Sequence, residues 1–316
     1  MTNLAIAATG LRKSYRDKNG DKTVLDGIDL AVPEGTIFSL LGPNGAGKTT
    51  TVQILSTLIR ADGGQVRVAG YDLDRQADDV RGAIGVTGQY SAVDKLLTGE
   101  ENLLLMADLK HLPRREGKRK AKELLEKFDL VEAGGKPAAT YSGGMQRRLD
   151  LAMTLVGDPR LIFLDEPTTG LDPRSRRSMW GIVRDLVKSG VTIFLTTQYL
   201  EEADELADRI ALLDHGRLIA EGTAEELKRR IPGGHIELTF AGAHLLDAAY
   251  HLLGAGSTDP EALTLQVPSD GSVRAVRELL ALLDERSIDV AEMSVHTPDL
   301  DDVFLTLTGQ KQETPR

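Results

Sequence analysis

The chain has 316 residues, with 38 Lys and Arg against 48 Asp and Glu, a formal net charge of −10 and no cysteine. That length allows one large domain plus one small accessory domain, each with enough apolar surface for a core. Disulfides and thiolate zinc sites are excluded, and the acid excess argues against nucleic acid as the main ligand, because duplex-binding surfaces are rich in cations. No stretch approaches the roughly 20 apolar residues of a membrane-spanning helix. Residues 1–7 lack the basic start and long apolar core of a secretory signal, so a cytoplasmic protein is expected, with any membrane role coming through a partner.

In chain order, residues 1 to about 90 alternate strand patterns with turn punctuation such as Ala61-Asp62-Gly63-Gly64. Within them the apolar run Ile37-Phe38-Ser39-Leu40-Leu41 reads as a buried strand and residues 50–55 as a helix start. Between the two lies Gly42-Pro43-Asn44-Gly45-Ala46-Gly47-Lys48-Thr49, with Thr50 next, and this is the strand-loop-helix context of a phosphate-binding loop. Glycines let successive backbone N–H groups turn inward around phosphates, and the helix N-terminus adds a positive dipole end to the same cavity. Lys48 is expected to reach the β- and γ-phosphates, and Thr49 to offer its hydroxyl to Mg²⁺.

From about residue 100 to 135 the apolar spacing becomes helical, through Leu103, Leu104, Leu109, Leu124, Leu125 and Phe128. The basic run at 114–122 has two readings, a solvated helix start, which is preferred, and contact with anionic lipid head groups. Tyr141-Ser142-Gly143-Gly144-Met145-Gln146 then opens an amphipathic helix. Ser142 suits the N-cap, and two glycines in the first turn let bare backbone approach an anion. Leu161-Ile162-Phe163-Leu164-Asp165-Glu166 reads as a strand buried on both faces with two carboxylates at its C-terminal end. Asp165 is placed to hold a metal's hydration shell and Glu166 to polarise a water attacking a γ-phosphate in line; capping of the Pro167 turn is the alternative for either acid.

The order of these three elements resembles the ATP-binding-cassette ATPases over approximately residues 4 to 228. The resemblance implies an α/β fold: a P-loop NTPase cassette with a RecA-like parallel core, an antiparallel β subdomain and a helical subdomain at about 100–155. It implies ATP and Mg²⁺ as cofactors, and a head-to-tail, ATP-dependent homodimer in which the Ser142-Gly143-Gly144 segment closes on nucleotide held by the other copy. It also implies an integral-membrane permease as partner, hence a peripheral position on the inner face of the membrane. Tyr15 falls where the family stacks an aromatic ring on adenine, although an ordinary edge-strand tyrosine would look the same. Gln89 falls where a glutamine contacts metal and water and senses the membrane partner, an assignment resting on order alone. Asp172 falls in the loop that crosses the dimer seam; followed by Pro173, it also suits a helix N-cap, and both readings can hold.

After the buried run 191–197 the family usually has a histidine that donates to the γ-phosphate, whereas this chain has Gln198. Its amide still offers two N–H donors and an acceptor, but carries no proton near neutral pH as an imidazole does. The segment Leu195-Thr196-Thr197-Gln198-Tyr199-Leu200-Glu201-Glu202-Ala203-Asp204 and the tail 298–309 are similar to the ATPase subunits of the daunorubicin-resistance type of bacterial antibiotic exporter. That likeness implies export of a drug or lipid-like compound. A soluble non-transport cassette protein and a regulator that only binds ATP are the alternatives.

Asp214-His215-Gly216 reads as a hairpin turn, Thr223-Ala224-Glu225-Glu226 as a capping box, and Pro232-Gly233-Gly234 as a domain boundary. The cassette is expected over 1–230, a small α+β accessory domain over 235–309 and a tail over 310–316. In the accessory domain, strands near 236–240, 263–267 and 290–295 alternate with helices near 245–253 and 273–283, without a catalytic trio. The six histidines read as scattered; His244 and His251 could share a helix face, where a solvated pair is preferred to a metal site.

Overall fold

A computed structural model describes residues 3–17, 20–88, 92–231, 234–296 and 298–308. The chain divides into two compact units, Met1–Ala224 and Glu225–Arg316. Pro232 and Gly233, read above as a boundary, and the tail 310–316 lie outside the described residues.

The first unit runs β1 (Leu4–Asp17), β2 (Gly20–Pro33), β3 (Ile37–Leu41), α1 (Lys48–Leu55), β4 (Gly63–Val68), β5 (Tyr71–Asp72), α2 (Ala77–Ala83) and β6 (Ile84–Thr87). It continues through α3 (Gly99–Leu109), α4 (Arg114–Lys127), α5 (Gly143–Thr154), β7 (Leu161–Asp165), α6 (Pro173–Lys188), β8 (Thr192–Thr197), α7 (Leu200–Leu206), β9 (Arg209–Asp214) and β10 (Arg217–Gly222). α8 (Ala224–Lys228) follows. A six-stranded sheet has the order β10-β9-β3-β8-β7-β6, and an antiparallel four-stranded sheet has the order β2-β1-β4-β5. In the larger sheet β3, β6, β7, β8 and β9 run parallel, and β10 closes the edge antiparallel to β9.

Every residue of β3, β7 and β8 is buried, as a parallel sheet covered on both faces requires. Successive side chains feed opposite cores. Ile162, Leu164, Ile193 and Leu195 join the helices of 100–188 on one side, while Leu161, Phe163, Phe194, Phe38 and Leu40 join α1 and the antiparallel sheet on the other. Phe194 stacks on Phe38 with ring centroids 5.7 Å apart. Truncating so buried a ring costs about 3–5 kcal/mol. The parallel sheet ends all its strands on one edge, so β3, β7 and β8 deliver their following loops to a common crevice.

α3 begins at the capping box of Thr98 and Glu101. The basic run falls in α4, where Arg119 pairs with Glu123 at 2.5 Å and Lys120 pairs with Asp158. The β9–β10 turn has positive φ at His215 (45°) and Gly216 (76°), the twist that tight hairpins favour. Among the described residues, no helix is long and apolar enough to cross a membrane.

The second unit contains β11 (His235–Thr239), α9 (Ala243–Leu253), β12 (Ser257–Asp259), β13 (Thr264–Pro268), α10 (Val273–Asp284), β14 (Glu292–His296) and α11 (Leu300–Thr308). Its antiparallel sheet has the order β12-β13-β11-β14, and Ile236, Leu238 and Leu265 pack with Leu246, Ala249, Leu279 and Leu283. Two elements go beyond the sequence reading. β12 is a three-residue exposed strand without apolar alternation, and α11 folds the tail similarity into a helix.

Candidate active site

The loop after β3 is pinned before any side chain enters. Ala46 N–H donates to Pro43 O at 3.2 Å, and Gly216 N–H of the β9–β10 turn donates to Ala46 O at 3.1 Å. Gly47 caps α1 at φ 114°, and a Cβ there would lie 2.7 Å from Leu25 Cδ2, so only glycine allows the turn to close. At Gly42 a Cβ would collide with the Leu213 carbonyl oxygen.

Lys48 begins α1 and is 4% exposed. Its ammonium donates to Gly42 O at 2.8 Å and Pro43 O at 3.1 Å, and lies 3.5 Å from Glu166 Oε1. Burial pushes its pKa below the ordinary lysine value, against the pull of the Glu166 carboxylate and then Asp165. A buried cation ringed by carbonyls at a helix N-terminus is a strong receptor for an anion.

At the end of β7, Thr49 Oγ1 donates to Asp165 Oδ1 at 3.4 Å, and Thr196 Oγ1 of β8 donates to the same oxygen. Thr196 also takes the Glu166 N–H on its carbonyl at 3.0 Å and on its hydroxyl at 3.2 Å. Glu166 itself has φ 50°, a left-handed conformation that costs a non-glycine residue about 1–3 kcal/mol and concentrates at functional sites. Thr169 Oγ1 reaches Glu166 Oε2 at 3.4 Å. Pro43, Asn44, Gly45, Ala46, Gly47, Lys48, Thr49, Thr50 and Glu166 line one cleft of about 750 Å³, together with Lys22, Thr23 and His215.

Other expected residues stand elsewhere. Tyr15 on β1 is 41% exposed, with Lys13 Nζ 5.5 Å from its ring centre, and pairs in register with Lys22 of the cleft wall. Gln198 directly follows β8, half-buried, without a side-chain hydrogen bond among the described residues. Gln89 lies outside the described residues. Ser142 caps α5 by accepting Met145 N–H at 3.2 Å. With Gly144, Arg148, Arg174 and Ser175 it borders a separate cleft of about 230 Å³. Asp172 caps α6 through Ser175 N–H at 2.9 Å and Ser175 Oγ at 2.6 Å, and the Ser175 bonds hold its carboxyl below the usual carboxylate pKa.

The sequence reading passed over Arg147, which joins the parts. From α5 its guanidinium donates to Pro167 O at 2.9 Å, Gly88 O at 3.1 Å, Asp165 O at 3.2 Å and Asp150 Oδ2 at 3.1 Å. Asp150 in turn accepts Ala92 N–H at 3.0 Å. One side chain therefore holds the backbone on both sides of Glu166 and the residue preceding Gln89. Glu202, 0% exposed, similarly accepts from Thr168 Oγ1 at 2.7 Å and Trp180 Nε1 at 3.0 Å. Two adjacent arginines on a polar helix face and one glutamate among three gave no periodic signal by which to single these out.

Residues 25–169 match the family model described as ABC transporter. The chain is 49% identical over 311 residues to the daunorubicin resistance ATP-binding protein DrrA3 of Streptomyces coeruleorubidus, covering 98% of this chain and 97% of that protein. It is 45% identical to the doxorubicin resistance ATP-binding protein DrrA of Mycobacterium tuberculosis, covering 99% of this chain and 96% of that one. Among solved structures, an ATP-binding cassette captured as a dimer in a post-hydrolysis state with ADP and Pi superposes with a TM-score of 0.63 at 26% identity, covering 69% of this chain and 98% of that one. With the phosphate loop, the carboxylates at and just after the end of β7 and the capped α5 assembled on a parallel sheet, the chain belongs to the ABC transporter family, as an ATP-binding cassette ATPase.

Proposed function

We propose that two copies of this chain enclose Mg²⁺-ATP head to tail and power export of an antibiotic or lipid-like compound through a separate integral-membrane permease, on the inner face of the membrane. The observation that carries the reading is the convergence of Lys48, Thr49, Asp165 and Glu166 at the strand ends, while Ser142 and Gly144 border a different cleft. A pocket holding phosphate loop and base, but not the signature glycines, calls for a second copy to complete it. Gly143 is compatible with this: a Cβ there meets nothing within 4 Å, so its own chain does not require the glycine and the position is free to serve the other copy. The resistance named in its relatives supports the cargo class.

In the reaction, Lys48 exchanges its carbonyl contacts for β- and γ-phosphate oxygens and leaves Glu166 to orient and polarise the attacking water. Thr49 hydroxyl and Asp165 carboxylate are oxygen donors suited to a hard cation and would hold Mg²⁺, which would supply charge neutralisation for the phosphates. Gln198 is assigned a donor role toward the γ-phosphate, Asp172 and Ser142 the seam between copies, Tyr15 the adenine, and Gln89 the coupling to the permease. Closure on ATP then becomes movement of the permease because only the closed state satisfies both half-sites.

The test is Glu166→Gln with ATP and Mg²⁺. Phosphate release is expected to fall by about 10²–10⁴-fold, with the protein trapped as a dimer in light scattering. A monomer under those conditions rejects the sandwich. Co-purification with the product of an adjacent reading frame carrying about six apolar spans tests the transport assignment.

A further inference from the structure

Two of the histidines that read as scattered meet across the C-terminal sheet. In register, His235 of β11 pairs with His296 of β14, and Glu237 pairs with Ser294 on one side and Gln266 on the other. Directly opposed residues and those two apart on a strand share a face, so His235, His296 and Glu237 form one corner of it. The imidazole rings stack with centroids 4.7 Å apart, so one ring must turn about its side-chain bonds for both in-plane lone pairs to meet one ion. One ligand atom from each of the three side chains falls within 4.8 Å of the other two. Their neighbours on this face are Pro268, Gln266, Ser294, Thr239 and Glu292, polar or acidic but for Pro268, whereas the alternate residues Ile236, Leu238 and Leu265 enter the core.

We propose that His235, Glu237 and His296 bind one divalent transition-metal ion of the zinc class on the polar face of the C-terminal sheet. Two imidazole nitrogens and a carboxylate oxygen are a borderline donor set that favours zinc over magnesium or calcium, and three protein ligands leave a position for water. The donors also have the outer partners that ligands need. Gln266 Nε2 donates to Glu237 Oε2 at 3.0 Å, and Ser294 Oγ lies 2.8 Å from His296 Nε2, an oxygen able to take the imidazole's second N–H and fix its tautomer. The strands carrying the ligands are 61 residues apart in sequence, as the pairing His235↔His296 shows, so a bound ion would tie β14 to β11 within this unit.

The experiment uses full-length, untagged protein stripped with EDTA and dialysed, titrated with ZnCl₂ by calorimetry in millimolar MgCl₂, which occupies oxygen-donor sites. The expected result is about one zinc per chain. Affinity should fall by roughly 100-fold in His296→Ala and by about tenfold in Gln266→Leu, which keeps all three ligands and removes only an outer partner. Co²⁺ should give the intense visible bands of tetrahedral coordination. Substoichiometric zinc uptake by the wild type overturns the site. So does unchanged uptake by a natively folded His235→Ala/Glu237→Gln variant.

Discussion

Replacing Arg147 tests the reasoning about the active site most severely. Arg147→Ala removes four hydrogen bonds, to Gly88 O, Asp165 O, Pro167 O and Asp150 Oδ2. The carbonyls lose about 1 kcal/mol each at most, since water can replace part of the bonding. Asp150 is the larger problem: it is 2% exposed and keeps only the Ala92 N–H, so the variant strands a buried carboxylate. Breaking such a pair costs about 3–5 kcal/mol, or about 6–20 °C in Tm for a unit of this size. The assay is favourable, because the chain's single tryptophan is Trp180, buried in α6 of the same unit, so its fluorescence in urea reports that unit alone. Burial already raises the Asp150 pKa above the ordinary carboxylate value, with Arg147 pulling the other way. A folded-state pKa above the unfolded one means that the charged form is penalised by folding. Losing Arg147 raises the pKa further, so the deficit of Arg147→Ala should be full above the variant's own Asp150 pKa and fade as pH falls from there toward the wild-type value. Arg147→Met/Asp150→Leu, which leaves no stranded charge, should recover more than half of the loss. A single variant within about 1 kcal/mol of wild type, or a double variant no better than the single, refutes the clamp.

The remaining expectations concern the two half-sites and the nucleotide. Gly143→Ala should fold with wild-type Tm, because its Cβ meets open space, yet lose ATP-dependent dimerisation in light scattering. Gly144→Ala should lower Tm, because its Cβ would press within 2.7 Å of Ser175 Oγ; equal behaviour of the two variants would contradict the geometry. Gln198→His should retain ATPase activity and Gln198→Ala lose most of it; full phosphate release by the alanine variant would remove Gln198 from the site. Tyr15→Ala should weaken binding of a fluorescent ATP analogue by about fivefold with little change in turnover, a stacking contribution of about 1 kcal/mol, and unaltered affinity would leave Tyr15 as an ordinary strand residue.

The parts of the fold legible in the sequence are those where local chemistry and burial agree. The run Ile37–Leu41 is apolar at every position but Ser39 because β3 is buried on both faces, and the glycines after it are the residues a loop folding back onto Leu25 and Leu213 tolerates. Ser142 and Asp172 read as caps and act as caps. What stayed hidden depends on pairing at a distance. Arg147 gains its importance from carbonyls 18, 20 and 59 residues away, and carbonyls carry no sequence signature. β12 is recognisable only by its pairing with β13. His235 and His296 become neighbours through sheet register, which no spacing rule along the chain encodes.

The lysine of the phosphate loop already has three oxygen partners of its own, at Gly42, Pro43 and Glu166. On the function proposed above, an arriving nucleotide must displace them with its own phosphate oxygens. On that reading, the loop would favour ligands with a longer phosphate tail.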